Sequence, residues 1–255
     1  MSIIITTAQS SDVSAPFVHT GRSGIDIFAN KDLITDLVSY WRFEETSGTA
    51  RADAFGRNNA TAYNDSPTVS GKVGRCASFD GVDQYILGPT KAAANAELNL
   101  HGQSLTVACW FKVNTLPSAD AEYKALYDMS RGTGGWYTLY LSKFDTTHFR
   151  AAGQYIEGTT NFVVDTWYLI WARYDNDTGR LETYLNMNLE NSRNDGSWGS
   201  APTTSLRPGI GSNSSSPGSS ENLNGFMDEL GVWSRYVSVE EMQFFYNAGA
   251  GRHAA

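Results

Sequence analysis

Long apolar runs are missing from this 255-residue sequence. No stretch approaches the ~18 consecutive apolar residues that a membrane-spanning helix needs, so no membrane partner is expected. Positive charge is also scarce. Lys and Arg number 19 against 27 Asp and Glu, a formal net charge of −8. With no basic stretch to neutralise phosphates, nucleic acid is not an expected partner either. There are two cysteines, Cys76 and Cys109. Both fall in strand-like segments where alternation sends Cys109 inward and Cys76 outward, poor geometry for a bridge, so two free thiols are expected. The four histidines, His19, His101, His148 and His253, are far apart. None has the i, i+4 spacing of a zinc-binding helix, and each reads as a surface or strand residue. Neither a phosphate-cradling Gly-rich loop ending in Lys-Ser/Thr nor a nucleophile elbow occurs. The first residues, Met1 to Thr7, carry no basic charge and an apolar run of only three, Ile3 to Ile5. They lack signal-peptide character, so the product is expected to stay in the cytoplasm or to leave by a route such as cell lysis.

What is abundant is aromatic: 7 Trp, 13 Tyr and 12 Phe, with charged residues at only 18%. That mixture belongs to a globular chain. Residues 1–36 read as an amino-terminal arm: Ile3, Ile4 and Ile5 make a short β-prone run, and Pro16, Gly21 and Gly24 punctuate the remainder. An alternative makes this segment the first strand and lead-in loop of the main fold. Asn30 is placed to cap one turn carrying Leu33, Ile34 and Leu37. From Val38 the pattern is β almost throughout. Leu105, Val107, Cys109 and Phe111 fall on one face of an alternating run, and Trp167 to Tyr174, Leu181 to Leu185 and Phe226 to Trp233 read as further strands. Asp175 to Gly179 is a hairpin turn. Many strands joined by Gly, Asn and Asp turns predict an all-β sandwich or jelly roll. One short helix closes it: Ser238 and Glu241 form a capping box, Met242, Phe245 and Tyr246 form a stripe, and Gly249 is the expected stop. The Ser-rich stretch 212–220 reads as a mobile surface loop.

Four blocks, in order, resemble the laminin-G-like branch of the concanavalin-A-like lectin/glucanase superfamily. They are Leu37 to Thr49 followed by Asp53 to Asn59; Gly71 to Tyr85; Leu105 to Lys112 with Trp167 to Tyr174; and Asn224 to Leu230 running into the capped helix. The resemblance implies one antiparallel jelly-roll domain over residues 37–250, with 251–255 as a short tail. It also implies a protein usually without enzymatic activity, used for adhesion or glycan binding. Members of the family often hold calcium between the loop after the first strand and a strand near the end. On that match Glu45, Asp53, Asn58, Asn59 and Asp228 are the candidate ligands of a structural Ca2+. The other reading of Asp53 and Asp228 is that they cap turns by accepting N–H groups.

Glycoside hydrolysis needs two carboxyl groups flanking the scissile bond, and the Glu-x-Asp-x-Glu run by which the superfamily's glucanases present them is not found. No catalytic residues are assigned. Glycan binding needs exposed aromatic faces beside amides and carboxylates. Trp198, between glycines and serines, is the first candidate; Tyr155 and Trp136 are weaker ones. The reading that results is a non-enzymatic structural or adhesion protein, a bacteriophage virion component of decoration or tail-fibre type. Its arm joins other virion proteins by adding Ile3 to Ile5 to a sheet edge, and its domain faces outward on the virion surface toward cell-surface polysaccharide. The alternative is an extracellular carbohydrate-binding module of a secreted bacterial system, and a glycan-cleaving enzyme comes third.

Overall fold

The computed structural model describes residues 33–91, 97–129, 137–201 and 207–254. The chain divides into two units, residues 1–30 and 31–255, and all described residues belong to the second. The expected edge-adding segment Ile3 to Ile5, like Trp136, lies outside the described residues.

Alternating apolar positions produce sixteen strands among the described residues, in two antiparallel sheets. The first sheet contains β1 (Leu37–Trp41), β4 (Thr68–Ser70), β5 (Arg75–Asp80), β7 (Leu105–Val113), β12 (Tyr168–Asp175), β13 (Arg180–Leu185), β14 (Asn188–Arg193) and β16 (Asn224–Trp233). Its order is β14-β13-β12-β7-β16-β5-β4, with β1 pairing on β16. The second contains β2 (Ala50–Arg51), β3 (Ala60–Tyr63), β6 (Tyr85–Leu87), β8 (Lys124–Asp128), β9 (Thr138–Leu141), β10 (Thr147–Ala151), β11 (Gln154–Glu157) and β15 (Gly209–Ile210). Its order is β11-β10-β9-β8-β15-β6-β3-β2. The expected all-β sandwich is present, with a short helix after its last strand.

The core lies between the sheets. Leu105, Val107, Cys109, Phe111 and Val113 point into it from β7, as the alternation predicts, and meet Leu139, Leu141 and Phe149 of the second sheet. A second apolar cluster covers the outer face of the first sheet. There Tyr40, Trp110, Trp171 and Trp233 are buried beneath Leu33, Val237 and the helix residues Met242 and Phe245. That helix, α1 (Val239–Tyr246), starts with the predicted box: Ser238 Oγ accepts the Glu241 N–H and the Glu241 side chain accepts the Ser238 N–H. It stops earlier than expected. Asn247, in the left-handed region at φ 50°, is the C-cap, a conformation that asparagine tolerates better than most residues. Both cysteines are free and buried. Burial pushes the Cys76 thiol up to about 12, which keeps it protonated and inert.

A buried polar lock ties the helix entrance to β12 and β13. The Arg173 guanidinium donates to Glu182 at 2.9 Å, to Tyr184 Oη at 2.9 Å and to the Val237 carbonyl at 2.5 Å. It also lies over the rings of Tyr236 and Tyr184, at 4.1 and 4.9 Å. Burial disfavours charge on Glu182, yet the Tyr236 hydroxyl and Arg173 outweigh it and hold the carboxyl below the usual range. One loop expectation is corrected. The Ser-rich stretch is not simply a surface loop: Ser212 and Ser214 are buried, because Ser214 donates through both N–H and Oγ to buried Asp128.

Phe245 sits edge-on to Trp171 at 5.4 Å, so the helix belongs to the same cooperative unit as the sheets. Phe245→Ala is expected to lower stability by roughly 3–5 kcal/mol, read from urea unfolding as a lower midpoint with unchanged slope. Loss of the helix signal before the sheet signal would contradict this.

Candidate functional site

The outward residues of β8 to β11 line a cleft of about 1020 Å³ on the solvent face of the second sheet. Period-two geometry puts them there. In β9, Leu139 and Leu141 point to the core, leaving Thr138 and Tyr140 to the cleft. In β10, Phe149 is inward and His148 and Arg150 are outward; in β11, Tyr155 and Glu157 line the same space. Register aligns them in two rows. Tyr140, His148 and Glu157 are cross-strand partners, as are Asp128, Thr138, Arg150 and Tyr155. Residues of β14 and of the Ser-rich segment complete the walls. Asn191 Nδ2 donates to the Glu157 carbonyl at 2.8 Å and Arg193 to the Tyr155 carbonyl at 3.1 Å, holding the two sheets together at this edge.

His148 is the centre of an aromatic row. Tyr155 stacks on it at 5.2 Å and 21°, and Tyr123 meets it edge-on at 5.1 Å and 75°. Tyr155 is 55% exposed, so one face of its ring is open to a ligand. Glu157 Oε1 accepts from Tyr123 Oη at 3.2 Å and lies 3.2 Å from His148 Nδ1. Burial lowers the His148 pKa, against the pull of Glu157; Arg150 lowers it further. A neutral imidazole with its proton toward Glu157 leaves Nε2 as an acceptor. Deeper in, Tyr140 Oη donates to Asp128 Oδ2 at 2.5 Å. Burial, then Asp128, raises the Tyr140 pKa, so this phenol stays protonated. The cleft thus presents ring faces, a phenol, an imidazole, amides and carboxylates together, the groups that hold a polyhydroxylated ring.

The family model described as the concanavalin A-like lectin/glucanases superfamily, of laminin G type, matches residues 80–243. The chain belongs to this superfamily. Solved structures show the same fold at low identity. The sialidase of Trypanosoma rangeli, in complex with 2,3-difluorosialic acid, matches with TM-score 0.65 and 15% identity, over 85% of this chain and 34% of its own. The matched region therefore spans about a third of that enzyme. Domain 4 of AbnA, a GH43 extracellular arabinanase from Geobacillus stearothermophilus solved with arabinotriose, matches with TM-score 0.61 and 15% identity, over 85% of this chain and 98% of its own. The binding domain of Paraclostridial Mosquitocidal Protein 1 matches with TM-score 0.65 and 15% identity, over 84% of this chain and 53% of its own. No curated protein matches.

Within this superfamily fold the candidate residues named from sequence fall in different places. Tyr155 is in the cleft. Trp198 does not stand out from its loop: it is half-buried, edge-on to Tyr174 at 5.4 Å and against His101 at 5.3 Å, and packs on the core. It closes one end of the sandwich. The five candidate calcium ligands are divided. Asp53 accepts the N–H groups of Tyr40, Arg57 and Asn58 at 2.8, 3.0 and 3.1 Å. Burial raises its pKa while the N–H groups of Asn58 and Arg57 pull it down. Asn59 accepts the Asp53 N–H at 2.9 Å and Glu45 the Ala52 N–H at 2.7 Å. Asn58 Oδ1, the oxygen a cation would use, accepts from the Lys91 ammonium at 2.8 Å. Asp228 lies elsewhere, accepting the Lys72 and Val73 N–H groups, both at 2.9 Å. Calcium takes about six to eight converging oxygens, and the set as placed does not form that cage. Asp53 and Asp228 act as turn caps.

Most of the cleft is absent from the residues singled out by sequence. Tyr123, Asp128, Tyr140, His148, Arg150 and Glu157 belong to it as well. The signal that could have found the strand residues among them is alternation in the segments 138–141, 147–151 and 154–157, once their inward partners are assigned.

Neutral His148 gives a signed pH dependence. The folded chain takes up this proton less readily than the unfolded chain, so the stability it carries is complete above the unfolded value, about 6.5. It is lost as pH falls through the folded value. An NMR titration is expected to show His148 with a midpoint below that of a free imidazole, and His148→Gln should flatten the loss of stability in the same range. A midpoint at or above 6.5 would refute the assignment.

Proposed function

We propose that this chain is a non-enzymatic glycan-binding protein and that saccharide lies in the cleft of the second sheet. The observation that carries the reading is the Tyr123–His148–Tyr155 row, whose open ring face borders hydrogen-bonding groups of both kinds. Sugars present apolar C–H faces and a rim of hydroxyls, and such a surface meets both. Saccharide in the solved relatives, arabinotriose with AbnA domain 4 and a difluorosialic acid with the T. rangeli sialidase, supports the class of ligand and leaves the sugar open. Binding without cleavage is supported by how the deepest cleft carboxylate is engaged. Both oxygens of buried Asp128 are occupied, by Tyr140 and by Ser214, while Glu157 is held through Oε1 by Tyr123, Ser142 and His148. A glycosidase acid or nucleophile needs an oxygen facing the bond to be broken.

Within this reading we place the protein on a bacteriophage particle, tethered by its amino-terminal arm to other virion proteins and facing host polysaccharide. The division of the chain into units 1–30 and 31–255 supports a separable arm. The other placement, as a module of a secreted bacterial system, keeps the same cleft and needs no arm.

Tyr155→Ala is expected to weaken saccharide binding at least tenfold, ~1.4 kcal/mol, on a glycan array followed by calorimetry, with little change in Tm. Trp198→Ala should lower Tm and leave binding in place. The reverse pattern would move the site to the loop, and release of reducing ends from any bound polysaccharide would end the non-enzymatic reading. Deleting residues 1–30 should leave a folded, saccharide-binding domain that no longer enters particles; a domain that fails to fold would return the arm to the core.

A further inference from the structure

Away from the cleft, three ligand-type side chains from distant parts of the chain converge. Glu44 follows β1, Glu229 lies within β16 and His253 belongs to the carboxy-terminal segment, and one ligand atom from each lies within 4.8 Å of the others. The backbone is bent to bring them there. The register of β16 on β7 breaks between Asp228 and Gly231, and Glu229 sits in the left-handed region at φ 53°. That conformation is unfavourable for a non-glycine residue and persists where the surroundings impose it. Phe43, next to Glu44, is also left-handed at φ 59°. The first of these takes the Glu229 carboxylate out of strand alternation, and the second turns the chain just before Glu44.

The cluster has the features of a held ligand set. His253 Nδ1 lies 2.8 Å from Glu229 Oε1. Tyr40 Oη donates to the other Glu229 oxygen and itself accepts the Ala254 N–H at 2.8 Å, an outer layer of the kind that orients metal ligands. Glu229 is fully buried and Glu44, which also accepts the Arg75 N–H at 3.2 Å, is half-buried; two carboxylates this close repel unless a cation or a proton stands between them. Arg42 is near enough to act on His253. The adjacent Asp228 is also fully buried, Glu44 is close enough to act on it, and its Oδ1 has no hydrogen-bond partner; it is not one of the three converging side chains.

We propose that Glu44, Glu229 and His253 bind one divalent transition-metal ion of the zinc class, pinning the carboxy-terminal segment to β1 and β16. An imidazole with two carboxylates suits zinc, whereas calcium takes oxygen alone. The site shares no ligand with the five-residue calcium set and does not rest on the glycan reading.

The test uses the full chain, freed of metal with a chelator, then titrated with Zn2+ and separately with Ca2+ by calorimetry, with Tm recorded in each. One Zn2+ per chain, a raised Tm and Ca2+ at least tenfold weaker are expected. His253→Ala should lower the metal-free Tm, because it removes the partner of buried Glu229 Oε1, and should also weaken Zn2+ at least tenfold and abolish the Tm rise on adding Zn2+; Glu44→Gln should weaken Zn2+ similarly. Failure of Zn2+ to bind, equal affinity in His253→Ala, or Ca2+ binding as tightly as Zn2+ would each overturn the proposal.

Discussion

The dry layer between the two sheets governs everything else in this molecule. Met227, Leu230 and Val232 of β16, with the inward residues of β7 and β12, meet Leu126, Leu139 and Phe149 across it. Each strand must therefore spend alternate positions on the core. On the first sheet the remaining positions go to the outer apolar cluster; on β9 to β11 of the second sheet they are free to carry chemistry. Tyr140, His148 and Glu157 are neighbours in space because Leu139, Phe149 and Ile156 are neighbours in the core. Their alignment follows from the register of the sheet, and a one-residue slip would bury all three.

Where the alternation of β16 is broken, Glu229 enters the buried layer and its carboxylate is held by Tyr40 and His253. The break in β16 also divides its edge between two partners, with β5 pairing along residues 224–227 and β1 along 230–233. The Arg173–Glu182 pair performs a related task on β12 and β13: a buried charge pair surrounded by two tyrosine rings and a carbonyl leaves no donor direction to chance. Such a pair adds modestly to stability, because its desolvation offsets most of its attraction. It does specify where the chain crosses from sheet to helix.

Much of the architecture was legible in the sequence. The run Leu105 to Phe111 is long enough to declare its faces, and Ser238 with Glu241 declares the helix start, because both signals are local. The helix end was misplaced by two residues because Asn247 adopts the conformation that Gly249 was expected to supply. The cleft was largely illegible for a different reason. Its strands β9, β10 and β11 have only four or five residues each, too few for period two to stand above noise. Its deepest contact joins Asp128 to Ser214, in a stretch whose composition suggests only mobility. Trp198 looked exposed because its flanking glycines and serines are local, whereas Tyr174 and His101, which cover it, are not.

The outer apolar cluster gathers both ends of the described chain on one face. Leu33, at one end of the described chain, and Ala254, at the other, both pack on the outer face of the first sheet, and Trp233 Nε1 fixes the Leu33 carbonyl there at 2.7 Å. The cleft opens on the opposite sheet. Both ends of the described chain therefore leave from the back of the sandwich, and the front sheet, with its cleft, is free of them.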